Sequence, residues 1–320
     1  MRYIQSRYLE ELSGDVESMK SALLRPAMIV APLVLGVLIP QAAGLSFLVR
    51  WLLVGMLFMV CLRLDLRDFR PCAAHWRLLA ANLAVGVVAF LLLRGAGFGE
   101  LAEAAFFTGI SPTATAAPVV MSFLRGRVGF VASGFVVTNV GVSLALLVLI
   151  PTVTGNFSIA FAGDVLKNML IVMALPFLLA SAVRRLHPAA SQWPVRCRMF
   201  TFSAWSLMLF IVASGAAGFL RNNADISGLV VVGIAAFSAA ICALNFVLGG
   251  LVVPKRFRRE GSQTLGQKNT MLSLYLAMTF ASPLAALGPT FYVIFHNLWN
   301  AWQLFVFDRR RRRRGSSVRR

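Results

Sequence analysis

The sequence is short of charge. Only 13% of its 320 residues are Asp, Glu, Lys or Arg, and 58% are hydrophobic. Soluble proteins carry about 25% charged and about 45–50% apolar residues. Half the usual charge cannot clothe a water-facing surface, so a soluble globular protein is excluded and most of the chain must face lipid. The mean hydropathy of +0.77 agrees. Acidic residues are scarcest, 12 against 31 basic ones, and there are 3 histidines. The four cysteines, Cys61, Cys72, Cys197 and Cys242, show no CxxC spacing and no histidine pair nearby. That argues against a disulfide framework or a metal site. A P-loop, HExxH, GxSxG and paired carboxylates within the apolar runs are all missing, so no catalytic residue, metal or cofactor is expected and the chain does not read as an enzyme. The first 25 residues are polar and mixed in charge, without an apolar h-region. No cleavable signal peptide is expected there, and the first apolar run reads as a retained span.

What the chain has in abundance is apolar runs. A helix needs about 20 mostly apolar residues to cross a bilayer. That window places ten segments, at 26–40, 45–63, 77–95, 100–124, 128–152, 162–183, 199–220, 226–253, 262–282 and 287–307. The net charge of +19 is distributed between them. With the N-terminus inside, alternate joints hold Arg63, Arg67, Arg70 and Arg77, then Arg125 and Arg127, then Arg184, Arg185, Arg196 and Arg198, then Lys255, Arg256, Arg258 and Arg259. A run of arginines, Arg309 to Arg314, follows the last segment, and the other joints hold little beyond Arg94 and Arg221. This alternation fits ten spans with both termini cytoplasmic. Basic clusters divided among separate loops do not make a nucleic-acid surface. They fit anionic lipid at the loops and tail instead. The expected product is an all-α polytopic protein of a bacterial inner membrane.

Two segments are imperfect helices. Segment 4 contains Ser111-Pro112-Thr113-Ala114-Thr115-Ala116-Ala117-Pro118, where two prolines remove backbone donors and obstruct the preceding turns. Segment 9 contains Thr264-Leu265-Gly266-Gln267-Lys268-Asn269-Thr270, a polar stretch just ahead of a long apolar run. Such stretches survive at membrane depth only against protein or a watery cavity. They are the fourth of the first five segments and the fourth of the second five. Paired interruptions at matching positions point to a transporter binding site between inverted repeats. The expected organisation is a cytoplasmic segment (1–25), two five-helix repeats (26–152 and 153–308) and a basic cytoplasmic tail (309–320).

These residues carry a resemblance. Gly266-Gln267-Lys268-Asn269-Thr270, then Ser282-Pro283-Leu284-Ala285-Ala286-Leu287 and His296-Asn297, are similar to the ninth and tenth helices of the bile acid:sodium symporter family, which typically read ETGMQNSGLA, SPLAALPG and WHN. Pro112 to Val120 resembles that family's PGGTASNVV, and Met59 to Phe69 its GMGLTLKPSDF. Taken in order, these blocks cover the chain from about residue 26 to 307. The resemblance implies a core and a panel domain, with helices 4 and 9 broken and crossing near mid-membrane. It also implies where sodium would bind, and there the chain departs from the pattern. The family's segment-9 glutamate and glutamine fall on Thr264 and Lys268, and its segment-4 serine and asparagine on Ala117 and Pro118. A carboxylate and two further oxygen donors are lost, and a cation is gained. The related arsenite exporters use a segment-4 cysteine, which this chain lacks there.

Lys268, with Thr264, Gln267 and Asn82, forms the group expected to hold or replace an ion; Asn82 lies one residue from the family's glutamine ligand. Three readings of Lys268 stand side by side. It snorkels to the cytoplasmic interface or pairs structurally, it is an internal cation in the place of sodium, or it loads and releases a proton. Ser111, Thr113 and Thr115 at the first break, Asn269 and Thr270 at the second, and Asn297 in segment 10 are the substrate-binding candidates. Half-helix N-termini there favour an anionic group. Their alternative is local bonding to their own helices or between helices. Ser133, Thr138, Asn139 and Asn245 read as interhelical glue, His296 as a hydrogen-bonded core residue, and Glu100, Glu103 and Asp164 as partners of helix N-termini. The function expected is a secondary carrier moving a small organic anion, carboxylate-bearing or bile-acid-like, by alternating access and without the usual sodium sites. A proton-coupled exchanger titrating Lys268 and a non-transporting membrane sensor or scaffold are the two other readings.

Overall fold

A backbone surrounded by hydrocarbon must satisfy its own polar groups, and a helix does so within one segment. The computed structural model, which describes residues 24–62, 70–114, 116–222 and 227–317, is about 87% helical, with no strand among those residues. In chain order the helices are α1 (Leu24–Leu38), α2 (Phe47–Cys61), α3 (Ala73–Gly95), α4 (Gly99–Ile110), α5 (Ala117–Phe123) and α6 (Val128–Thr154). There follow α7 (Ile159–Leu186), α8 (Arg198–Asn222), α9 (Gly228–Leu251), α10 (Arg258–Gly266), α11 (Thr270–Phe280) and α12 (Pro283–Ser317). Among the described residues, α3, α6, α7, α8 (from Met199) and α9 are long and apolar enough to cross a membrane, with mean hydropathies of 1.7 to 2.3. At about 1.5 Å per residue, ~20 residues already cover the hydrocarbon core. The protein is an all-α membrane protein.

Each of the ten apolar segments carries helix, and two differ from expectation. Segment 9 begins earlier, because the polar helix α10 starts at Arg258 and buries Glu260, Gln263 and Thr264 inside the protein. Segment 10 runs on through the arginines to Ser317, so the tail begins as helix; arginine is a good helix former and nothing there interrupts the ladder. The expected segment 1–25 up to residue 23, the basic residues Arg63 and Arg67, and the end of the tail lie outside the described residues.

Packing divides the helices into two groups. One holds α1 against α8 and α2 against α7 and α8; the other holds α3 against α4 and α6, α9 against α10 and α12, and α11 against α12. The groups meet where α8 packs on α12, α6 on α7 and α11 on α2. Glycine pairs set the closest approaches. A Cβ on Gly109 of α4 would stand 2.8 Å from the Cα of Gly86 on α3. A Cβ on Gly249 of α9 or Gly261 of α10 would collide with the other's carbonyl oxygen. Each pair lets a half-helix press its backbone onto a full-length neighbour.

Candidate functional site

The two interrupted segments meet. Residue 111, ahead of Pro112, is extended (φ −46°, ψ 130°), as proline requires of its predecessor, and α4 ends there. Pro118 causes no loss, because it sits in the first turn of α5, where N–H groups have no helical acceptor. At the second break Gln267 is extended (φ −91°, ψ 105°) and α10 ends. Extended backbone left inside a protein needs partners. Here each break supplies the other's: Ala114 N–H donates to Gln267 O (2.7 Å) and Asn269 N–H to Pro112 O (2.7 Å). The result is a single antiparallel bridge between Thr113 and Lys268, with the C-termini of α4 and α10 and the N-termini of α5 and α11 gathered around it.

Lys268 lies at the centre of this crossing with 1% of its surface exposed. Its Nζ donates to the side-chain oxygen of Asn82 on α3 and to the carbonyl of Gly109 (3.1 Å) in the last turn of α4. Both acceptors are neutral, and no carboxylate of a described residue pairs with Nζ. A helix C-terminus carries partial negative charge, so the lysine complements the end of α4. Asn82 is itself oriented, because its Nδ2 donates to Ile110 O (2.9 Å). The reading in which Lys268 snorkels to an interface does not fit these contacts.

Hydroxyls surround the bridge. Thr138 Oγ1 lies 2.8 Å from Thr113 Oγ1, which donates to Thr264 O (2.6 Å), and Asn139 Nδ2 donates to Thr113 O (3.0 Å). Ser111 Oγ and Ser273 Oγ are 2.6 Å apart, and Tyr292 Oη caps the end of α10 by donating to Gly266 O (2.6 Å). Some polar capacity is left over. The buried Oδ1 of Asn139, Oδ1 of Asn245, Oε1 of Gln267 and Nδ2 of Asn269 have no protein partner. Unsatisfied buried atoms of this kind are what ordered water or a polar ligand would satisfy.

Of the expected site residues, Ser111, Thr113, Gln267, Lys268, Asn269 and Asn82 come together at the crossing. Thr264 contributes its carbonyl; its hydroxyl is spent on Glu260 O (2.8 Å) of its own helix. Thr270 is buried at the start of α11. Asn297 does not join them through a hydrogen bond, because its Nδ2 bonds back to Val293 O (2.7 Å) on α12. Thr115 lies outside the described residues. Thr138 and Asn139, read from the sequence as glue, grip Thr113 directly, and Ser273 was not singled out. Adjacent polar residues in the apolar run of α6 were the available signal for the first two. Among the described residues no group of three or more His, Cys, Asp or Glu could hold a metal ion.

Fold and crossing together define an all-α membrane protein with two interrupted helices and a buried lysine between them. No protein-family model matches the chain, and no curated protein matches it.

Proposed function

We propose that the protein is a secondary carrier of a small organic anion, of the kind resembling the bile acid:sodium symporters, with ten spans in two inverted repeats and no use of the two sodium sites. The contacts of Lys268 carry this reading. In carriers with broken helices, unwound carbonyls and half-helix C-termini coordinate the cation. Here Gly109 O at such a C-terminus, with Asn82 Oδ1, accepts a lysine ammonium instead. A sodium ion needs several hard oxygen ligands, preferably with a carboxylate, and at the positions the resemblance implies these are lost. The carboxylate position is Thr264, whose hydroxyl is already bonded, and Ala117 and Pro118 offer no side-chain oxygen. The tethered ammonium does the electrostatic work of a bound cation without leaving.

The pattern of packing supports the repeat. Shifted by five segments, the contact of α3 with α4 becomes that of α9 with α10, and α1 with α8 becomes α7 with α2. The two glycine pairs, Gly86 with Gly109 and Gly249 with Gly261, follow the same exchange. A group of α1, α2, α7 and α8 rocking against the rest is the alternating-access motion this arrangement suits. Exposed Arg70, Arg77, Arg125, Arg127, Arg185, Arg196, Lys255 and Arg256 support a cytoplasmic face with both termini on it, apposed to anionic lipid, as in a bacterial inner membrane.

The test is solute counterflow in proteoliposomes with sodium replaced by choline. Carboxylate flux should be the same in both salts. Flux that requires sodium overturns the proposal, and a sharp pH optimum abolished by Lys268→Ala would make Lys268 a proton carrier instead.

A further inference from the structure

Arginine is costly in an apolar helix, and its place there is generally beside a cavity or a partner. Arg50 stands in the first turn of α2 (FLVRWLLVGMLFMVC), and no carboxylate of a described residue pairs with it. Its Nε donates to Tyr275 Oη (2.9 Å) on α11, and Tyr275 Oη donates in turn to Asn168 Oδ1 on α7. Asn168 is held by its own bond to Asp164 O (2.8 Å), just before a π-helical turn, Leu170–Ala174. Such π-turns within α-helices concentrate at functional sites. Tyr275 therefore sits between two residues of the opposite helix group, and the three side chains tie the groups together at one point.

That point is the wall of a cleft. A cavity of about 410 Å³ opens between α2 and α11, lined among others by Ser46, Phe47, Arg50, Trp51, Tyr275 and Thr279. Nε is spent on Tyr275, over whose ring the guanidinium carbon lies 6.0 Å from the centroid, and the two terminal nitrogens, neither bonded to a described residue, are left for a ligand in the cleft. Two parallel N–H groups match the two oxygens of a carboxylate. The aromatic rings of Phe47 and Trp51 offer apolar surface for the rest of an amphipathic molecule.

We infer that Arg50, oriented by Tyr275, takes the carboxylate of the bound solute in the cleft between α2 and α11. The inference rests on the carrier reading and names the group that recognises its anion. The site lies on the boundary between the two helix groups, so occupancy bears on the tie through Tyr275 that must break and re-form as the groups move.

The same chemistry could be offered by a lipid phosphate, and the experiment separates the two. Purified protein in detergent free of phospholipid is heated with the choline salts of hexanoate, phenylacetate or benzoate, and separately with their amides. The carboxylates should raise the unfolding midpoint and the amides should not. Arg50→Gln should weaken the carboxylate response by about 10- to 100-fold in apparent affinity, the range of a charge-assisted hydrogen-bond pair. Arg50→Lys, which keeps the charge without the fork, should recover part of it. Tyr275→Phe, which keeps the arginine and frees its Nε, should also weaken binding, and decides the matter if Arg50→Gln does not fold. Equal shifts in wild type and Arg50→Gln overturn the assignment. So does the absence of any carboxylate shift, or an Arg50-dependent shift given by phosphatidylglycerol and not by the carboxylates. Counterflow of the same carboxylates distinguishes the two failures: flux that survives Arg50→Gln leaves the carrier standing, and no flux in either protein removes it.

Discussion

A lysine ammonium has three N–H donors and no acceptor, so a buried one without a counter-charge depends on the oxygens that reach it. Asn82 and Gly109 O are the oxygens that Lys268 uses. Replacing Asn82 by the similarly sized leucine leaves the ammonium with one fewer acceptor. Asn82→Leu is therefore expected to destabilise by about 1.5–3 kcal/mol, the value of a hydrogen bond to a charged group. In the double variant Asn82→Leu/Lys268→Met the charge leaves as well, so part of the loss should return. A thermal-unfolding double-mutant cycle reads the coupling. Additive losses would mean that Lys268 and Asn82 do not interact. Arg50 belongs to the same scale. It was not singled out from the sequence; its bond to Tyr275, 225 positions away, and through Tyr275 its link to Asn168, distinguish it from an interfacial anchor.

At the scale of elements, the half-helices matter more than the full ones. α4, of 12 residues, and α10, of 9, are held by backbone contact with α3 and α9 through small residues. This is how helices approach closely where the hydrophobic effect supplies no drive between them. A methyl group at Gly109 has no room. Gly109→Ala should cost about 1–3 kcal/mol, as overpacking does. It should also displace the carbonyl that Lys268 uses, so the loss should be smaller in a Lys268→Met background. Gly95→Ala is the control, since nothing lies within 4 Å of a Cβ there. Its midpoint should stay level or rise slightly. Equal effects at both glycines would remove the close approach of α3 and α4 from the account.

For the whole molecule, two helix groups that meet along three helix pairs suit relative motion, and charge placement suits one orientation. Cys72 is exposed in the joint between α2 and α3, which lies on the proposed cytoplasmic face. A membrane-impermeant maleimide should leave Cys72 unlabelled in intact spheroplasts and label it in inside-out vesicles, and Cys72→Ser should remove most of that signal. Labelling from outside would invert the topology and with it the side on which the arginine run lies.

Helical class, membrane setting and the positions of both interruptions were legible from composition and pattern. Low charge, long apolar runs and prolines act locally, and a bilayer leaves the backbone few alternatives to the helix. The candidates at the breaks were legible for the same reason: Thr113, Gln267 and Lys268 are polar where polarity is expensive. Partners were not legible. That Ala114 N–H donates to Gln267 O and Asn269 N–H to Pro112 O, and that Lys268 faces the end of α4 and Asn82 on α3, depend on contacts between distant residues. A chain's local pattern states that a polar group is present and must be satisfied. Only the packing of the helices decides which group, 150 residues away, satisfies it.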